Sequence, residues 1–324
     1  LKKFSWLLAV ILVSMLVLAA CGGGDEESEN DDEWVENVTI LTGGEAGVYY
    51  PLGLAMGEIM SENVDDVNAT GITTGASVVN INDISDGEAE FALVQNDIAY
   101  YAQEGTEMFE EEGAREGFSG VFTMYPETIQ IVTLADSGIE TVEDLEGMRV
   151  AVGDVGSGTE ANANQILGVH DLTYDDLNEE YMDFGDASSN LQDGNIDAAF
   201  VTSGTPTGSI QELSASADVK LVSISDDMIE ALEEEYPYYT RQDISNDDYE
   251  NFDSEASTVA VQAMFIVRDD MPEDQVYELV ASIFDNLDDM ENAHDRGSDL
   301  TLDSAQDGMS IDLHPGAERY YDEN

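Results

Sequence analysis

The sequence predicts an α/β fold in two lobes joined by crossing strands, on three observations. Short β-rich runs alternate with helical stretches between residues 38 and 94, a second unit of strand, glycine-rich turn and helix begins near residue 141, and apolar strand signal returns at 257–272. The first unit reads "VTIL" (38–41), a helix from about Tyr50 to Asn63, "VNAT" (67–70), a helix from about Ser77 to Ser85, and "EFALV" (90–94), which is βαβαβ. The apolar run "TIQIVTLA" (128–135) follows. The second unit carries a helical "ASSNLQDG" (187–194) and a strand "DAAFV" (197–201). After the returning strand, Pro272 opens one continuous helix, "EDQVYELVASIFDNLDDM" (273–290).

A chain that builds one unit, then a second, and then comes back makes a two-lobed clamp. Lobe 1 is expected at 37–140 plus 255–324 and lobe 2 at 141–254, with crossings near 136–141 and 254–258. An internal echo accompanies this division: "GASVVNINDISDGEAEFALVQND" (75–97) and "GDASSNLQDGNIDAAFVTSGTP" (185–206) share a Gly-led helix start, an Asn in the helix, Asp-Gly as a stop and an acid before an apolar strand. Helix-turn-strand units resemble one another in any α/β protein. The echo nevertheless places comparable strand ends in both halves.

Charge limits the partners. The 324 residues hold 72 Asp plus Glu against 9 Lys plus Arg, a net charge of -63, and Lys220 is the only lysine beyond residue 3. No basic surface remains to neutralise phosphates, so nucleic acid is excluded as a partner and anionic membranes would repel the chain. Acids spread along the whole length, with lysine so scarce, predict a surface that self-repels at low salt and is suited to concentrated salt. Residues 1–20 read as an export leader, with Lys2 and Lys3 before an uncharged run. "LAAC" (18–21) resembles the lipobox of secreted lipoproteins, which makes Cys21 the acylated residue and the lipid anchor to the membrane; an uncleaved anchor helix is the alternative. Residues 21–36, Gly-rich and acidic, form a tether. Cys21 is the only cysteine, so the exported part has no disulfide and no thiol nucleophile.

Catalytic and metal chemistry find little support. His170, His294 and His314 are scattered without metal-ligand spacing, no G-x-S-x-G elbow occurs, and no metal or cofactor is expected. Two Gly-rich junctions remain, "TGGEAGVYYPLG" (42–53) and "VGDVGSGTEANA" (152–163). The first lacks G-x-G-x-x-G and the second lacks a P-loop lysine. Both hand a strand over to a helix, where free N–H groups and the helix dipole favour an anion. With no cation nearby in sequence, a carboxylate suits them better than a phosphate chain. Ser157 and Thr159 add hydroxyls, or else cap their own helix. Tyr49 and Tyr50 are suited to walling a pocket while donating a hydrogen bond, or to packing at the helix start. Gln95 and Asp97 follow a strand end, where open α/β sheets bind ligands, and Asp97 is a candidate for holding a ligand ammonium.

In order along 38–321, "TGGEAGVYYPLG", "GASVVN", "FALVQND", "MYPE", "DLEGMRVAVGDVGSGTEANA", "DAAFVTSGTP" and "LHPGAERYY" resemble the TAXI-type solute receptors of TRAP transporters. The resemblance implies a type II periplasmic-binding-protein fold with hinge strands between lobes, a small carboxylate or amino-acid ligand such as glutamate or glutamine in the cleft, and delivery to TRAP membrane permease subunits driven by an ion gradient. Carried over by position, it implies ligand contacts from Gly43, Gly44, Tyr49 and Tyr50, from Ser77 and Asn80, from Gln95 and Asp97, from Ser157, Gly158 and Thr159, and from Ser203 to Pro206. The dicarboxylate branch of these receptors uses an arginine, whereas here only Arg149 and Arg319 fall within the motifs. Glu45 in the proposed anion loop points to solvent or holds a ligand ammonium. Two other classes stay open: a receptor of an ATP-driven importer or a sensing protein on the same fold, and an enzyme on a two-lobed scaffold.

Overall fold

Strands buried on both faces carry continuous apolar runs, because helices cover each side of a mixed sheet whose outer strands pair in parallel. The computed structural model describes residues 34–249 and 252–324; the expected leader, Cys21 and the tether up to residue 33 lie outside the described residues. In lobe 1, β1 (Asn37–Leu41), α1 (Tyr49–Asn63), β2 (Asn68–Ile72), α2 (Ser77–Ser85), β3 (Phe91–Gln95) and α3 (Asn96–Glu104) follow the expected alternation. β1 pairs in parallel with both β2 and β3. Every residue of β3 is buried. The long strand β4 (Phe118–Leu134) then leads into lobe 2, which is built from β5 (Arg149–Ala151), α4 (Gly158–Val169), β6 (Asn178–Glu180), α5 (Phe184–Gln192), β7 (Ala198–Ser203), α6 (Gly208–Ser214), β8 (Val219–Val222), α7 (Asp226–Glu235) and β9 (Thr240–Ile244). The strand β10 (Ala256–Arg268) returns, and α8 (Glu273–Phe284), α9 (Leu287–Ala293) and α10 (Pro315–Glu323) pack on lobe 1.

The ten strands of the described residues form one sheet, ordered β2-β1-β3-β10-β4-β7-β5-β6, with β8 on β4 and β9 on β10. β4 and β10 belong to both lobes. Between Phe118 and Thr128, β4 pairs with β10; from Thr128 on it pairs with β7, and from Ile131 also with β8. The crossing in β4 therefore lies near Thr128, earlier than the 136–141 expected. In β10 it lies near Ala260, where pairing with β9 ends, just beyond the expected 254–258. The side chains change cores at the same places: Phe265 and Val267 pack with Ile40 and Leu52, whereas Val259 and Val261 pack with Val150 and Phe200.

Two expectations are corrected. The first half of β4 was illegible because Gly120 and Pro126 interrupt its apolar pattern; Pro126 pairs with Gln262 beside a register shift, the kind of site where a sheet accepts a residue without an N–H. The single helix at 273–290 is two. Asn286 leaves helical geometry (φ -129, ψ 37) and donates its Nδ2 to Ser282 O at 2.7 Å, a local bond that competes with the helix ladder.

The centre of the lobe 1 core is Phe265, fully buried, with its ring 5.0 Å from those of Phe91 and Phe122. Truncation there leaves a cavity walled by two rings that cannot collapse. Phe265→Ala is expected to lower unfolding free energy by ~3–5 kcal/mol in denaturant titrations; a loss below about 1 kcal/mol would contradict this packing.

Candidate functional site

The parallel strands of each lobe point their carboxyl ends at the other lobe, and a cavity of about 690 Å³ lies between them. Lobe 1 lines it with Gly43, Gly44, Tyr49, Ser77 and Gln95, and lobe 2 with Ser157, Gly158, Thr159 and Ser203, all expected from sequence. Between the two sets, at the crossing in β4, stands Glu127.

Helix starts shape the walls. Ser157 accepts from Glu160 N at 3.1 Å, so it caps its own helix, α4. The start of α2 is already occupied: Val78 N and Val79 N donate to Gly156 O at 3.1 and 3.3 Å, a contact from one lobe to the other. Gly156 makes this approach at φ +76, a conformation that favours glycine. Ala76, which lines the cavity just before α2, holds φ 66 and ψ -149, a strained geometry for a residue with a Cβ. Asp183 caps α5 by accepting from Asp186 N at 2.8 Å. The starts of α1 and α4 remain the amide-bearing walls that face the cavity.

Six expected contacts do not line the cavity, among them Gly204 and Thr205, which follow Ser203 out of the lining. Asn80 is fully buried and donates its Nδ2 to Thr42 O (2.7 Å) and Leu93 O (2.8 Å), so it ties the β1 and β3 ends together. Tyr50 is half-buried, turned away from the cavity by its place on α1 after Tyr49. Pro206 is half-buried outside the lining. Asp97 is fully buried behind it, accepting from Asn162 Nδ2 at 3.2 Å, while its Oδ1 has no partner. This bond also spans the lobes, as does Gln95 Nε2 to Asn162 Oδ1 at 2.9 Å. Glu45 lines the cavity and is exposed.

Glu127 was missed. A single acid inside the apolar stretch "MYPETIQIVTL" was the available signal, hidden by the abundance of acids elsewhere. It is 3% exposed; Tyr49 donates to its Oε2 at 2.9 Å and Tyr125 to its Oε1 at 3.5 Å. Burial, against the bond from Tyr49 and with the negative charge of Asp97, pushes its carboxyl up to about 8. Burial likewise pushes Asp97 up to about 7. No Lys, Arg or His is among the lining residues. The arginines are engaged elsewhere: Arg149 grips Asp197 through Nε (3.0 Å) and Nη2 (2.6 Å), and Arg319 reaches Glu273 and Asp274 at 2.7 Å. Among the described residues no cluster of three or more His, Cys, Asp or Glu is arranged to hold a metal ion, and no helix is long and apolar enough to cross a membrane.

The NMT1-like family model matches residues 40–324, which reach into both lobes. This chain belongs to the NMT1-like family. Solved structures similar to this NMT1-like chain share its fold at low identity. A protein from Bordetella bronchiseptica RB50 is 15% identical with a TM-score of 0.55, over 89% of this chain and 80% of that one. One from Listeria monocytogenes, assigned as an L-cystine ABC transporter, is 15% identical with a TM-score of 0.50, over 82% and 98%. The PhnD1 protein of Prochlorococcus marinus MIT 9301, in complex with methylphosphonate, is 9% identical with a TM-score of 0.52, over 78% and 85%. The fold of this NMT1-like chain is thus the two-lobed periplasmic-binding-protein fold expected from sequence.

The geometry generates two predictions. A methyl group at position 158 would overlap Gln95 Oε1 and Cδ across the cleft. Gly158→Ala is expected to hold the lobes apart, with a larger radius of gyration by small-angle X-ray scattering; an unchanged radius would mean that Gln95 yields instead. For Asp97 and Glu127 the folded pKa lies above the unfolded value of roughly 4. Their protonated forms are favoured by folding, so the stability they contribute is complete below about pH 4 and is lost as pH rises through about 7 and about 8 respectively. Urea titrations of the unliganded protein from pH 5 to 8 should show Asp97→Asn flattening the decline, by at most about 1.4 kcal/mol per pH unit for one group. A D97N variant that kept the wild-type slope would exclude this titration.

Proposed function

We propose that this chain is an extracytoplasmic receptor that captures a small carboxylate or amino acid between its lobes and hands it to a membrane transporter. The observation that carries the reading is the interlobe cavity, of a size suited to a small molecule, into which the starts of α1 and α4 converge without any lysine or arginine. First-turn amides supply a fixed, partly positive wall for a carboxylate and need no counter-charge. Contacts made by both lobes to one ligand favour the closed arrangement by their differential free energy. The leader-like residues 1–20 and Cys21 support a lipid-anchored location outside the cytoplasmic membrane.

The ordered motifs along 38–321 support a TRAP-type partner driven by an ion gradient. The receptor of an ATP-driven importer is the second reading, favoured by the likeness to the Listeria monocytogenes protein. Transport into proteoliposomes by a membrane transporter that accepts this chain separates the two: uptake needs an imposed ion gradient in the first case and internal ATP in the second.

A thermal-shift screen with amino acids, dicarboxylates and keto acids tests the receptor reading. A ligand at a hundredfold excess over its dissociation constant should add ~2.7 kcal/mol to stability. Thr159→Ala, which removes a hydroxyl from the α4 wall, is expected to weaken a hit about tenfold, in line with loss of one hydrogen bond. A panel in which nothing shifts the melting temperature would refute the reading.

A further inference from the structure

Glu127 is a buried carboxyl with no charge to answer it. Its donors are all neutral, the hydroxyls of Tyr49 and Tyr125 with the Gln95 amide beside them, and it takes part in no ion pair among the described residues. Removal of an ionised carboxylate from water without a counter-charge is strongly unfavourable, so the group keeps its proton until a cation arrives. A second, independent feature lies on the same wall. Gln95 lines the cavity at 2% exposure, and its Oε1 accepts no hydrogen bond while its Nε2 is committed to Asn162. One acceptor, Gln95 Oε1 beside Gly158, thus lacks a donor, and one carboxyl, Glu127, lacks a cation, on a wall that no protein cation lines, opposite an α4 start that offers amides.

We propose that Glu127, aided by Gln95, anchors a positively charged amino group of the ligand and releases its own proton when that group binds. The proposal rests on the receptor reading above and narrows it from carboxylates at large to acids that also carry an ammonium. An ammonium brings three N–H donors and a full charge, enough for both oxygens. In the exchange, the carboxyl O–H bond breaks, its proton passes to solvent, and the ligand nitrogen stays protonated; charge is conserved. Several groups face Glu127: Tyr49 from α1, Tyr125 from its own strand, Asp97 from α3, and the Arg296 and Asp299 pair near Tyr125. Both tyrosines are held neutral by burial, well above their ordinary range. Arg296 is already bonded to Asp299 at 3.0 Å. Asp97 adds negative charge and so favours the protonated Glu127 of the unliganded state. Affinity for an ammonium acid should therefore rise as pH goes from 6 to about 8.

Matched pairs isolate the ammonium: L-glutamate with glutarate, L-glutamine with glutaramate, and L-leucine with 4-methylpentanoate, each titrated calorimetrically into the full chain at pH 7 in two buffers of different ionisation enthalpy. At least one amino acid is expected to bind at least about 100-fold more tightly than its des-amino partner, with net proton release. Glu127→Gln should abolish the release and shrink the preference below about tenfold. Tyr49→Phe, which keeps the ring and removes a bond that holds the Glu127 pKa down, provides a second reading if the E127Q variant does not fold: the pH at which amino-acid affinity rises should move upward, and an unmoved pH profile counts against the proposal. A des-amino acid that binds as well as its partner, or an E127Q variant that still prefers the amino acid and releases the same protons, overturns the proposal and leaves the receptor reading intact. If none of the six compounds binds, the receptor reading falls for these acids and the proposal falls with it.

Discussion

Two strands, β4 and β10, are the constraint on which the rest of the molecule depends. Each runs through the middle of the sheet in one lobe and continues into the other, so a single pair of backbones serves both hydrophobic cores. Their ladder bonds cannot be surrendered, because buried N–H and C=O groups have no water to replace their partners. Any change in the angle between the lobes must be absorbed where the pairing changes hands, around Thr128 and Ala260. The cavity sits against that point. Pro126, beside the register shift, and Glu127, on the cavity wall, are consecutive residues, so the irregularity in the strand and the wall of the cavity adjoin.

Electrostatics then sets what the cavity offers. In a chain of net charge -63 the seven cations of the described part are all taken by carboxylates at the surface or near it. None is left for the cleft. Hydrogen-bond donors there come instead from main-chain amides at the starts of α1 and α4, which the fold fixes in place beside the acids Glu45, Asp154, Asp183, Asp186 and Glu212. Burial supplies the opposite pole: the carboxyl of Glu127 is kept uncharged by its surroundings, in the way that buried acids generally respond to a low dielectric. A buried polar chain of Gln95, Asn162 and Asp97 lies behind this wall and joins the lobes.

Sequence legibility followed the range of the interaction. The α2 boundaries, Ser77–Ser85, were readable because Asp-Gly stops and apolar spacing act over a few residues. The Gly-rich turns were readable as cavity walls because strand-to-helix junctions place backbone amides by local geometry. The opening of β4 was not readable, since its partner β10 lies well over a hundred residues away and tolerates Gly120 and Pro126 only in that register. Asn80 was read as a ligand contact from the resemblance and Asp97 from its place past a strand end; packing turned Asn80 onto two main-chain carbonyls and Asp97 onto Asn162 of the other lobe. Ser157 shows the same limit, because a hydroxyl at a helix start serves either a ligand or its own helix, and only the fold decides.

By itself, the sequence determined the α/β alternation, the two lobes, the lack of nucleic-acid-binding charge and the glycine-rich amide turns, all of which depend on composition or on neighbours within a turn or two. The tertiary structure alone decided which carboxylate is special. Glu127 is one acid among 72 until β4, α1 and the facing lobe remove its water, and loss of water is a property of the folded assembly that no local pattern carries.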